Sequence, residues 1–139
     1  MWSNEKIEKQ REYFKEQRTT KTGKFTEFTV RTYYCIYKAC ALNNKAYCLE
    51  SDASSYKINK IIYEGFYGGV PDHDNKSVID DCKKKLKEMG YIKFKKENNV
   101  WLIYVVKNLD FLLPGEHEFY IEKFGIEHEI QFFLGDELQ

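Results

Sequence analysis

The chain has 139 residues, 42% of them hydrophobic and 17% aromatic, and its 22 basic and 22 acidic side chains cancel. That length suits one domain with a core that needs no metal or disulfide staple, and the aromatic content excludes a wholly disordered chain. No apolar run approaches the ~20 residues of a membrane span, and Met1-Trp2-Ser3-Asn4-Glu5-Lys6-Ile7-Glu8 lacks the apolar core of a signal peptide, so a cytoplasmic protein with no membrane partner is expected.

Residues 4–18 read as a charged helix with a thin stripe of Ile7, Arg11 and Phe14 or Lys15, and 19–23 as a linker. Residues 1–25 thus form a charged N-terminal helix and linker. Thr26 is placed to cap the next helix, in which Val30, Tyr33, Tyr34, Tyr37, Cys40 and Ala41 recur on one face until Asn43-Asn44 ends it. Residues 45–50 fit a short strand. Ser51 to Ser54 offer caps for a second helix with Ile58, Ile61, Ile62 and Gly65 on its inner side. Phe66 to His73 is a loop broken by Gly68-Gly69 and Pro71, without the spacing of a phosphate-binding loop.

Asp74 or Asn75 caps a third helix running to Met89, with Val78, Ile79, Cys82, Leu86 and Met89 as its apolar stripe and Gly90 as its left-handed terminator. Lys83, Lys84 and Lys87 are expected to face elsewhere. Residues 91–97 and 100–107 are two strands joined by Asn98-Asn99, a pair that tolerates positive φ. Two-residue closure pairs Ile92 with Val105, Phe94 with Ile103 and Lys96 with Trp101, with Lys93 and Lys95 on the opposite face.

Charge is segregated along the chain. Residues 1–25 carry +3, 26–109 carry +4 and 110–139 carry −7, while Lys83 to Lys96 alone carry +6. The acidic segment 108–139 is also strongly apolar and is expected to pack on its own domain or across a dimer. It would cover a basic surface or engage another protein. Within it, Glu116-His117-Glu118 and Glu127-His128-Glu129 are read as packed or surface groups rather than metal ligands, since no spacing links the two triplets. Cys35, Cys40, Cys48 and Cys82 form no ligand pattern and read as small buried hydrophobes. No nucleophile elbow, HExxH or framed carboxylate pair occurs, so neither an enzyme nor a cofactor is expected.

The order helix, short strand, helix, helix, hairpin over 26–107 resembles the winged helix–turn–helix superfamily. The likeness is most specific in Asn75-Lys76-Ser77-Val78-Ile79-Asp80-Asp81-Cys82-Lys83-Lys84-Lys85-Leu86-Lys87-Glu88-Met89-Gly90-Tyr91-Ile92, which is similar to the recognition helix and first wing strand of bacterial regulators and of phage or plasmid replication initiators. One departure is the stretch from Gly65 to Asp74, longer than the usual turn. The resemblance implies an α+β fold with a three-helix core and a two-stranded wing. It also implies a homodimer that binds double-stranded DNA, as a transcriptional regulator or as a replication, partition or transfer factor of a mobile element. A helix of ~10–12 Å diameter fits the ~12 Å major groove. Asn75, Lys76 and Ser77 would then meet base edges, and Asp80 would accept from cytosine or orient Lys76. Lys83, Lys84, Lys87, Lys93, Lys95 and Lys96 would follow phosphates, giving a log–log salt slope near −5. Asp80 and Asp81 oppose this by repelling phosphate. The alternative is a phage or mobile-element inhibitor, anti-CRISPR-like, using the same scaffold and its acidic surface for protein contact.

Overall fold

The structure is a computed structural model that describes residues 5, 9, 12, 27–66 and 76–132. Helix α1 (Glu27–Leu42) leads into strand β1 (Tyr47–Leu49), a 3-10 turn (Glu50–Ala53) and helix α2 (Ser55–Phe66). Helix α3 (Lys76–Glu88), strands β2 (Ile92–Glu97) and β3 (Val100–Val105), and helix α4 (Glu116–Lys123) follow. The fold is α+β, with helices packed on a three-stranded antiparallel sheet of order β1-β3-β2. None of the described helices is long and apolar enough to cross a membrane. Of the charged N-terminal segment, Glu5, Lys9 and Glu12 are helical and exposed, with Glu5 and Lys9 3.2 Å apart one turn from each other. The expected cap at Thr26 and the Gly68-Gly69 loop lie outside the described residues.

Helix α1 is the axis of the core. Its expected face is buried except for the half-buried Ala41, and so are Thr29, Arg31, Thr32, Cys35 and Ile36 around the rest of its circumference. Helices buried on all sides need partners for every polar group. Arg31, at 0% exposure, lies 3.7 Å from Glu27 one turn earlier and 3.9 Å over the Phe66 ring. The Tyr120 hydroxyl donates to Glu27 at 2.7 Å. Tyr33 donates to the Lys107 carbonyl at 2.9 Å, and the Tyr37 oxygen accepts from Ile130 N–H at 2.9 Å. Each buried phenol thus packs its ring in the core and ties its hydroxyl to a distant segment, the arrangement that makes tyrosine tolerable inside. The helix stops at Asn44, whose φ of 56° lets Lys45 N–H return to the Cys40 carbonyl at 3.2 Å.

The same phenols explain why the acidic segment packs on its own chain. Leu109, Phe119, Tyr120, Phe124, Ile126 and Ile130 join one continuous core with Val30, Ile58, Ile79 and Ile103. Pro114-Gly115 makes the expected turn, with Gly115 at φ 86°. The fully buried Glu116 closes it by accepting from Leu113 N–H at 3.1 Å. The two Glu-His-Glu triplets are linked after all. His117 Nε2 donates to Glu129 at 2.6 Å, and the Tyr34 hydroxyl lies 2.8 Å from His117 Nδ1. The link spans twelve residues and depends on α1 for its third member, so spacing within the segment could not reveal it.

Around α1, Thr29 meets Cys82 of α3, whereas Glu27 and Tyr34 meet Tyr120 and His117 of α4. At about 100° per residue these two sets lie on nearly opposite sides of the helix. Among the described residues, helix α4 therefore lies on the side of α1 away from α3, while Asp110 and Phe111 at the start of the acidic segment pack on Tyr91, just after α3. All four cysteines are free and buried, and burial pushes the Cys35 thiol up to about 12.

Candidate nucleic-acid interface

Helix α3 begins at Lys76 and ends through the 3-10 step of Gly90, at φ 84°. Its inner stripe is Ile79, Cys82, Lys83 and Leu86. Val78 and Met89, expected to belong to that stripe, are 42% and 46% exposed. The helix is rotated relative to expectation because Lys83 takes an inner position, and its long apolar stem can line a core while the ammonium finds oxygen. Lys83 is 6% exposed, donates to the Ala53 carbonyl at 2.7 Å and lies 3.9 Å from Glu50. Its expected role as a phosphate contact is therefore corrected. It anchors α3 to the 3-10 turn that follows β1.

Asp80 is also committed. Its carboxylate accepts from the Ser55 hydroxyl at the start of α2, which holds the two helices together. Whether it also orients Lys76, as expected, turns on a side chain outside the described residues. Asn75 and the Lys76 side chain lie outside the described residues. Ser77, Asp81, Lys84, Lys85 and Glu88 point outward, and Lys87 projects sideways with its ammonium 5.9 Å above the Phe94 ring. Among the described side chains of α3, the exposed charges are thus Lys84, Lys85 and Lys87 against Asp80, Asp81 and Glu88, which are equal in number.

The hairpin follows the expected register throughout: Ile92 opposite Val105, Phe94 opposite Ile103, Lys96 opposite Trp101. Asn98 and Asn99, at φ 50° and 64°, form the two-residue turn whose twist matches the strands. Because side chains alternate, Ile92, Phe94 and Lys96 share the helix side of the sheet with Ile103, Val105 and Trp101. Lys93 and Lys95 lie on the other side, near Tyr104, Leu102 and Tyr47, where Lys95 pairs with Glu97 at 3.2 Å. Burial, with the Glu97 carboxylate nearby, holds the Tyr104 phenol above its ordinary value. The lysines of 83–96 therefore divide into one buried anchor, a helix-side group of Lys84, Lys85, Lys87 and Lys96, and an outer pair.

The register had placed Trp101 opposite Lys96 beyond the two apolar pairs. The structure leaves that indole 52% exposed, with the Lys96 ammonium 6.0 Å from its ring. Among the described residues no group of three His, Cys, Asp or Glu converges on a point that would hold a metal. A cleft of about 540 Å³ lies at the far end of α1, lined by Lys38, Leu42, Ile126, Glu127 and His128 among others, away from α3 and the hairpin. No protein family, curated protein or solved structure matches this chain.

Proposed function

We propose that residues 26–107 form a winged helix–turn–helix domain that binds double-stranded DNA, with α3 and the β2–β3 hairpin as the contacting elements. The element order α1-β1-α2-α3-β2-β3 and the sheet order β1-β3-β2 support this reading. The single observation that carries it is the pairing of an exposed helix face, Ser77 to Lys87, with an adjoining hairpin whose tip extends past the core. The phosphate contacts are Lys84, Lys85, Lys87 and Lys96, fewer than the sequence suggested. Four phosphates give a log–log salt slope of about −3.6. A homodimer with its α3 helices about 34 Å apart would span one turn of DNA.

Electrophoretic retardation of a random duplex pool at low and moderate salt tests the proposal. Retardation that falls steeply with salt and disappears in Lys84→Glu/Lys96→Glu is expected. Its absence at low salt would overturn the proposal. The exposed Val78 and Met89 favour one second reading, in which the same scaffold contacts a protein partner through α3, as an inhibitor from a mobile element would.

A further inference from the structure

We infer that the tip of the hairpin is a stacking site for an unpaired nucleobase, built from Trp101 and Lys96. The inference rests on the proposed nucleic-acid reading for its ligand class, and goes beyond duplex binding. Three observations carry it. Trp101 is the most exposed aromatic of the sheet, with about half its surface open, although the register places it on the side where Ile103 and Val105 are buried. The fold therefore does not use the whole indole, and about half of its surface remains open to a partner. Lys96, its cross-strand neighbour, holds an ammonium 6.0 Å from that ring, and Lys87 stands over Phe94 one pair further in. A base laid on the indole would bring its own phosphate, and the next, toward these two cations. Stacking on an aromatic ring together with a cationic track is how single strands are held without sequence preference, because every base has a π-face. Asn98 and Asn99 at the turn add amide groups for base edges. Charge complementarity favours nucleic acid over an apolar protein surface here, since on this side of the tip the indole's described neighbour is a cation.

In a duplex every base face is already stacked, so the indole gains a partner only at a frayed end, a bulge or a single strand. The test uses the full chain with Trp2→Phe, which leaves Trp101 as the sole indole reporter. Three probes are compared: a blunt duplex, the same duplex with a short 3′ overhang, and the overhang strand alone. The overhang duplex is expected to bind more tightly than the blunt one and to quench Trp101 fluorescence. A Trp101→Ala change should lower affinity for the overhang by about 5- to 150-fold, as loss of one stacked base does, and erase the preference over blunt ends. Trp101→Phe, which keeps an aromatic face, should retain most of the preference and controls for loss of the hairpin. Equal affinity for blunt and overhang duplexes, or equal weakening of both by Trp101→Ala, overturns the inference. Single-strand binding with quenching but no blunt-duplex binding supports it while overturning the proposed duplex function. Binding to none of the probes overturns both.

Discussion

Lys83 and Lys84 are neighbours in sequence and opposites in role, and substituting each by methionine separates structure from surface charge. Methionine preserves the apolar stem and removes the ammonium. At position 83 that deletes a charge-assisted hydrogen bond to the Ala53 carbonyl at 2.7 Å, worth about 1.5–3 kcal/mol. It also removes an ion pair to the half-exposed Glu50 at 3.9 Å, which adds no more than about 0.5 kcal/mol after solvent screening. Recovered desolvation of the ammonium works the other way. The net expectation for Lys83→Met is a loss of about 2 kcal/mol, or roughly 5–10 °C in Tm for a domain of this size. Lys84→Met should stay within about 0.5 kcal/mol of the parent and should reduce the salt slope of duplex binding by about 0.9. Urea midpoints at constant m-value measure the first effect, and salt-dependent retardation measures the second. A Lys83→Met protein with unchanged stability and a weakened salt slope would refute the placement of this side chain.

Arg31 is fully buried beside Glu27, so Arg31→Met should cost about 3–5 kcal/mol by leaving a buried carboxylate without its cation, and Glu27→Gln added to it should recover part of that loss in a double-mutant cycle read by urea unfolding. Asn99 sits at φ 64° in the hairpin turn. Asn99→Val should lower stability by about 1–2 kcal/mol, since a β-branched residue is strained there, whereas Asn99→Gly should be neutral or stabilising; both are measured by thermal melting. Burial first, then the hydrogen bond to Asp110 and its charge, pushes the Tyr91 phenol up to about 12, and burial among neighbouring phenols pushes Tyr33 up further. A folded-state value above the unfolded one contributes stability that is whole below about pH 10 and is lost as pH rises through about 12. Absorbance at 295 nm should therefore show a late tyrosine fraction that ionises together with loss of ellipticity, and Tyr91→Phe should shrink it. Titration of all eleven tyrosines as one early set, with the fold intact, would count against this.

The elements from 30 to 105 were legible because local chemistry and long-range packing agree there. Asn98-Asn99 accepts positive φ, so turn length fixes the register, and the register decides which residues of both strands face the helices. Ser54, one of the caps offered by sequence, does accept from Lys57 N–H at 3.3 Å. Charge alone reads Lys83 as a surface group, but position outranks charge here. Lys83 lies four residues after Ile79 and three before Leu86, both fully buried, and that spacing alone puts it at the edge of the inner stripe. Ile61 fell to the opposite error and is 38% exposed. The Tyr34–His117–Glu129 chain was not legible, since its members are separated by 83 and 12 residues and only the packing of the acidic segment on α1 brings them together.

The charge of a sequence window is not the charge of a surface, and the difference bears directly on function. The +6 of residues 83–96 loses Lys83 to the interior, gains Asp80 and Asp81 from the preceding turn, and is divided between two sides of a sheet. What remains on the helix side among the described side chains is a weak local excess, centred on Lys96 at the hairpin. Polarity across the described residues is stronger. Glu118, Glu122, Glu127 and Glu129 are exposed on the segment that packs on the far side of α1. A polyanion would be repelled from that side, and under the proposed function this turns it toward α3 and the hairpin, so orientation would come from the distant acid as well as from the local base. It follows that neutralising the far side, with Glu118→Gln/Glu122→Gln, should leave the proposed phosphate contacts and their salt slope intact while adding misoriented encounters on that side at low ionic strength. A protein partner gripping α3 through Val78 and Met89 would show no such dependence on ionic strength, because long-range fields steer charges and not apolar patches.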